Sequence, residues 1–252
     1  MATANVLGSL PADRARRALA GVLELAPDLV GLQEWWTPTR HRALRETGSV
    51  GWVPDVGVRL RPRDGARPPA YLWSAPFLGG TVVGARADRF ELVGCRSSIL
   101  SRPGFADRGE RRLGVEPPRL ATIATYRDRR GDRPVSVVNY HLSPGVQTLG
   151  RYRKDRPLLV ARHRAEVRRL QTLVDAALAL GHDVYALGDS NFDGFRLRGL
   201  TSAWRGREEE PGTLGPRRKV DDVHAGRGVP TSVTLLASDS DHKAVVVDHA
   251  DP

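Results

Sequence analysis

The 252 residues suffice for one large hydrophobic core, and a hydrophobic share of 40% is ordinary for a globular chain. No apolar run approaches membrane-spanning length and Cys95 is the only cysteine, so a spanning helix and an internal disulfide are both excluded. The formal net charge of +10 argues against basic partners and favours polyanions such as nucleic acid or phosphorylated substrates.

Residues 3–7 open the chain as a strand. Ser9 is placed to cap a helix entered through Pro11, with Leu19, Val22, Leu23 and Leu25 as its apolar face, and Pro27 ends it. Residues 29–33 read as a buried strand closing on Glu34, which makes the first unit β-α-β. A second helix is expected over 38–46. The Pro-, Gly- and Arg-rich stretch 53–70 reads as weak strand and surface loop. Strands follow at 80–85 and 90–93, with β pattern again at 97–100, and residues 105–116 read as a polar loop. The segments 120–126 and 134–141, separated by a polar turn, form a β-hairpin.

Val160, Val167, Leu170, Val174 and Leu178 recur at helical spacing within 157–180, and the arginines between 162 and 169 fall mainly on the solvated faces. Residues 184–187 are a strand, and Gly188 lets the backbone turn after it. Three short strands close the chain at 220–225, 232–236 and 244–248. Helices and strands alternate without a linker or an internal repeat, so residues 1–252 are expected to form a single α/β or α+β domain with two packed sheets.

The chemistry-bearing residues sit at strand ends: Asn5, Glu34, His141, Asp189, Asn191, Asp221, Asp241 and His242. An extended segment would aim Asp189 and Asn191 the same way, into one pocket at the carboxyl end of a strand; an Asx turn after a core strand reads equally well. Oxygen ligands without a cysteine pair suit Mg²⁺ or Mn²⁺ better than structural zinc. His242 beside carboxylates can be held charged, with Asp221 or Asp222 as the orienting partner. His41, His163, His182, His224 and His249 have no such context and read as surface or satisfied histidines.

Asn5-Val6, Gln33-Glu34, Asn139-Tyr140-His141-Leu142, Gly188-Asp189-Ser190-Asn191, Val220-Asp221 and Ser240-Asp241-His242 occur in that order. Together with Ser98-Ile99-Leu100-Ser101-Arg102, they resemble the endonuclease/exonuclease/phosphatase superfamily over almost the whole chain. The resemblance implies a four-layered αββα sandwich, two mixed sheets flanked by helices, with the site at one end. It implies that Glu34, with Asn5 and Asp241, holds the metal. Asp189 would orient or deprotonate the attacking water and Asn191 would bind the scissile phosphate. His242 paired with Asp221, and His141, would contact phosphate oxygens, and Arg119 would bind phosphate.

Two departures stand out. Asp222 follows Asp221 where an apolar residue is usual, and Tyr71-Leu72-Trp73-Ser74 is a poor match for the segment of abasic endonucleases. Only Met1 to Ala4 precede Asn5, so a native start further upstream is expected. The leading expectation is a metal-dependent phosphodiesterase acting on nucleic acid through a metal-activated water, cytoplasmic, monomeric and without membrane contact. The charge supports this only in part. Lys154, Lys219 and Lys243 are the only lysines, and an arginine-rich skew also follows from a GC-rich genome. The alternatives are a phosphomonoesterase for small metabolites or inositol phosphates, and a catalytically silent nucleic-acid-binding module on the same fold.

Overall fold

The computed structural model describes residues 1–36, 38–53, 70–76, 80–107 and 113–250. The first third of the chain contains β1 (Ala2–Asn5), α1 (Ala12–Glu24), β2 (Leu29–Gln33), α2 (Pro38–Thr47), β3 (Gly48–Val53), β4 (Tyr71–Pro76) and β5 (Val82–Arg86). Next come β6 (Phe90–Ser101), β7 (Gly104–Asp107), β8 (Leu113–Glu116), β9 (Arg119–Asp128) and β10 (Arg133–His141). The short β11 (Gln147–Thr148) and β12 (Arg151–Tyr152) lead into α3 (Pro157–Ala179). The last elements are β13 (Asp183–Asp189), β14 (Thr201–Ser202), β15 (Asp221–Ala225), β16 (Val229–Leu236) and β17 (Ala244–Ala250).

A seven-stranded sheet runs β16-β17-β1-β2-β5-β4-β3, and a six-stranded sheet runs β14-β15-β13-β10-β9-β6. Period-two patterning packs them into layers. Ala244 and Val246 of β17 face α1 and α2, whose Ala18, Leu19, Val22 and Leu44 share that core, whereas Val245 and Val247 face the other sheet. On β10, Val135 and Val137 join the core between the sheets, while Val138 and Tyr140 pack under Leu170 and Val174 of α3. The architecture is therefore helices, sheet, sheet, helix: the αββα sandwich.

Register sets the position of the strand ends. β1 and β2 are parallel with Asn5 beside Gln33, and β10 and β13 are parallel with His141 beside Asp189. Asp221 starts antiparallel β15 opposite Asp189, and β17 runs antiparallel to β1, so the residues before Ala244 approach Asn5. The polar strand ends of both sheets thus fall at the same end of the sandwich.

Several local expectations are corrected. Pro11, not Ser9, is the N-cap residue of α1, no side chain caps that helix, and Leu25 is exposed. The strands expected at 90–93 and 97–100 are one strand, β6, with a bulge between Leu92 and Gly94. Tyr71–Pro76 is the interior strand β4, packed through Trp73. The expected polar loop 105–116 contains the hairpin β7–β8, in which Phe105 opposes Val115. The loop expected over 53–70 lies largely outside the described residues. Arg162 is not solvated: its guanidinium donates to Arg102 O, Pro117 O and Ser143 Oγ, and it pairs with buried Glu166 at 3.1 Å.

Candidate active site

Glu34 leaves β2 at φ +60°, a left-handed conformation that is unusual for a residue with a Cβ. This turns its carboxylate off the strand direction. Oε2 accepts from the Gly8 amide at 2.5 Å, and Oε1 lies 4.0 Å from His141 Nε2. Such strain persists only where the surroundings over-determine it. Here Arg40 does so: its buried guanidinium donates to the carbonyls of Val6, Leu7, Gly8, Leu10 and Glu34. Nothing in the sequence distinguishes Arg40 from the other arginines.

Asp189 ends β13 almost wholly buried. Asn5 Nδ2 donates to its Oδ2 at 2.9 Å and the Asn191 amide donates to its Oδ1 at 2.7 Å. Burial, then the neighbouring charge of Asp221, pushes the Asp189 carboxyl up to about 7, against the pull of His242 and these hydrogen bonds. Gly188 does not turn the chain. It lies within β13, where a Cβ would stand 2.2 Å from Tyr140 O, so close approach of β10 demands the glycine.

Asn191 does not continue an extended segment beside Asp189. At φ +52° it closes an Asx turn, with Nδ2 donating to Leu142 O at 3.0 Å. Of the two readings weighed in the sequence, the Asx turn is the one these hydrogen bonds define.

Asp221 Oδ2 and His242 Nδ1 are 2.8 Å apart. Burial alone would lower the His242 pKa, but the hydrogen bond and charge of Asp221, with Asp189 and Asp241 nearby, outweigh it and raise the group to about 9. His242 is therefore an imidazolium at neutral pH, with its Nδ1 proton committed to Asp221. Thr213 Oγ1 accepts from the Val220 and Asp221 amides, and Ser240 Oγ donates to Asn5 O at 2.8 Å, stitching the β17 entry to β1. Asp222 points to the other face and takes Ser202 Oγ at 2.6 Å, so Asp221 is the partner of His242.

His141 is the opposite case. Burial, then the charges of Arg119 and His242, holds it well below the usual imidazole range, so it is neutral. Arg119 Nη1 lies 3.4 Å from His141 Nδ1, and a guanidinium can only donate. Nδ1 is thus the acceptor and the proton sits on Nε2, which is 3.6 Å from Asp189 Oδ2. Burial lowers the pKa of Arg119 without discharging it.

Ligand atoms of Asp189, Asp221 and His242 all lie within 4.8 Å of one another. This trio is a group that could hold a metal ion, with Asp221 Oδ2 already 2.8 Å from His242 Nδ1. Glu34 and Asp241 stand outside it. Asp241 is exposed, with Oδ1 accepting from Ser240 Oγ at 3.4 Å. Asn5 Oδ1 is buried without a hydrogen-bond partner.

Four layers with a polar site at the converging strand ends define the deoxyribonuclease I-like fold of endonuclease/exonuclease/phosphatase proteins. The chain is similar to D. rerio TDP2 complexed with a single-strand DNA product, with TM-score 0.63 and 16% identity over 98% of this chain and 96% of that one. An endonuclease/exonuclease/phosphatase from Bacteroides vulgatus matches with TM-score 0.61 and 15% identity over 100% and 98%. A Bacteroides thetaiotaomicron mannosyl-6-phosphatase matches with TM-score 0.59 and 14% identity over 99% and 98%. No protein-family model and no curated protein matches the sequence. At such identities the likeness is one of fold.

Proposed function

We propose that the chain, as one catalytic unit, is a divalent-metal-dependent phosphodiesterase that hydrolyses nucleic acid. The observation that carries this reading is the convergence of two histidines on one buried carboxylate: His141 Nε2 and His242 Nδ1 both lie within 4 Å of Asp189 Oδ2. Asp189, with a pKa near 7, orients a water and accepts its proton. His242 donates to a phosphate oxygen that gains charge as the new P–O bond forms, and Asp221 keeps the ring oriented. The ester P–O bond to the leaving oxygen breaks, and that oxygen takes a proton from solvent as Asp189 returns its own to solvent. His141 Nε2–H, Arg119 and the second amide N–H of Asn191 donate to the remaining phosphate oxygens.

The donor chemistry suits a hard cation: Asn5 Oδ1 is a buried oxygen without a hydrogen-bond partner, and the partly buried Glu34 and the exposed Asp241 add carboxylate oxygens without sulfur. Asn5, Glu34 and Asp241 would hold Mg²⁺ or Mn²⁺. When bound, the ion supplies Lewis-acid stabilisation of charge on the phosphoryl oxygen.

The net charge of +10 and the similarity to a protein crystallised with single-strand DNA favour a nucleic-acid substrate. The similarity to a mannosyl-6-phosphatase supports a second reading, a small phosphomonoester. Hydrolysis of bis(p-nitrophenyl) phosphate and p-nitrophenyl phosphate with Mg²⁺, Mn²⁺ or chelator separates them. Wild type is expected to cleave the diester only with metal, and Asp189→Ala to lose at least about 10²-fold. Cleavage of the monoester alone would transfer the reading to small phosphorylated metabolites.

A further inference from the structure

Adjacent tryptophans after β2 have opposite environments: Trp35 is 1% exposed in the core, and Trp36 is 42% exposed. A single exposed aromatic is unremarkable on a protein surface. What sets Trp36 apart is its seat. A Cβ on Gly8 would stand 3.2 Å from Trp36 Cδ1 and 3.3 Å from Nε1, and a Cβ on Gly80 would stand 2.9 Å from Cδ2 and 3.0 Å from Cε2. The indole therefore lies against two glycines from different loops, and a side chain at Gly80 would displace it.

Backbone bonds hold the seat in place. The Trp36 amide donates to Glu34 O at 3.1 Å, and the Trp35 amide donates to Gly80 O at 3.0 Å. The same point above Gly8 is 2.9 Å from Glu34 Oε2, so the ring and the carboxylate flank one glycine. An aromatic surface is thus fixed at the lip of the site, with its exposed part available to a ligand.

We propose that Trp36 is a stacking platform for the nucleobase next to the scissile phosphate. This deepens, and rests on, the phosphodiesterase reading of the same site. A base offers a flat π-face of matching size, and base–aromatic stacking tolerates every base. The platform selects single-stranded or splayed nucleotides, because a base in a duplex is already stacked on both faces.

The test is a double-mutant cycle across the interface. Wild type, Trp36→Ala, Trp36→Phe and Trp36→Leu are compared on a single-stranded oligonucleotide and on copies carrying one tetrahydrofuran abasic nucleotide at successive positions. Cleavage is followed with Mg²⁺, binding by anisotropy in the Asp189→Asn background, and folding by thermal melting. Trp36→Ala is expected to lower kcat/KM on the intact strand by about tenfold, mainly through KM. Trp36→Phe should retain most of it, and one abasic position should cost wild type a similar factor, with Trp36→Ala adding little there. If Trp36→Ala does not fold, the contrast between Phe and Leu carries the same information.

Additive losses at every position, or equal losses for Phe and Leu, would overturn the platform while leaving the phosphodiesterase intact. A Trp36 effect on hexose phosphate turnover but not on strands would place a sugar there instead. If wild type neither binds nor cleaves any strand, the nucleic-acid reading itself fails, whatever the variants do.

Discussion

Asp221 and Asp222 show what a single residue decides. Neighbours on a strand face opposite sides, so two consecutive acids on β15 cannot share a task. Asp221 holds His242 at 2.8 Å. Asp222 accepts from Ser202 Oγ and the Ala203 amide at 2.6 and 3.1 Å, and lies 3.3 Å from buried His224 Nε2 without hydrogen-bond alignment. Burial raises the Asp222 pKa and lowers that of His224, so this pair is a buried structural joint, removed from the Asp189 pocket. The two substitutions should therefore separate. Asp221→Asn is expected to cut kcat/KM on a diester by about 10²- to 10⁴-fold with the fold retained. Asp222→Asn should cost about 1–3 kcal/mol of stability and leave the folded enzyme active. Parallel kinetics and urea titrations check both, and equal activity losses would contradict the assignment.

At the scale of elements, a strand was legible where both faces are buried. Strands β10 and β17 read as apolar runs because their alternate residues enter different cores. The hairpin β7–β8 was not, because its apolar residues Phe105, Leu113 and Val115 face solvent and only Ala106 packs inward. Its strands are defined by cross-strand pairing, which no single segment reveals. The strand β4 was hidden for another reason: Trp73 fits there only because Gly84 on the paired strand leaves room for its ring, a long-range match.

Asn139 lies between these cases. The sequence shows an amide inside a valine-rich strand; the structure sets it between the sheets as a strut. Its Nδ2 donates to Leu32 O and Val82 O at 2.8 and 2.7 Å, and its Oδ1 accepts from Gln33 Nε2 at 2.6 Å. Removing a buried amide strands polar partners on both sheets. Asn139→Ala is expected to lose about 3 kcal/mol, read as a lower urea midpoint at unchanged slope. A loss below about 1 kcal/mol would mean that water replaces the strut.

Over the whole molecule, the end carrying the site was readable and the far end was not. Polar residues after apolar strands marked Glu34, His141 and Asp189, since parallel pairing brings such termini together. The supports Arg40 and Thr213 bond to backbone groups, a role that residue type does not announce. At the opposite end an open cleft of about 540 Å³ is lined by Asp28, Arg89, Asp128 and His249. His249 is neither a surface nor a satisfied histidine: both ring nitrogens are buried without a hydrogen bond. Burial lowers its pKa to about 4 against the contrary charge of Asp248. Above pH 6.5 the ring is neutral in the folded and unfolded chains alike, and its contribution to stability is fully present. As pH falls from 6.5 towards 4 the unfolded chain takes up a proton that the folded one refuses, so that contribution is lost. His249→Leu removes both the titration and the two unpaired nitrogens. Its urea midpoint should exceed wild type by a constant amount above pH 6.5, where only the unpaired nitrogens count, and by a growing amount between pH 6.5 and 4, whereas parallel curves would show that other groups set the acid limb.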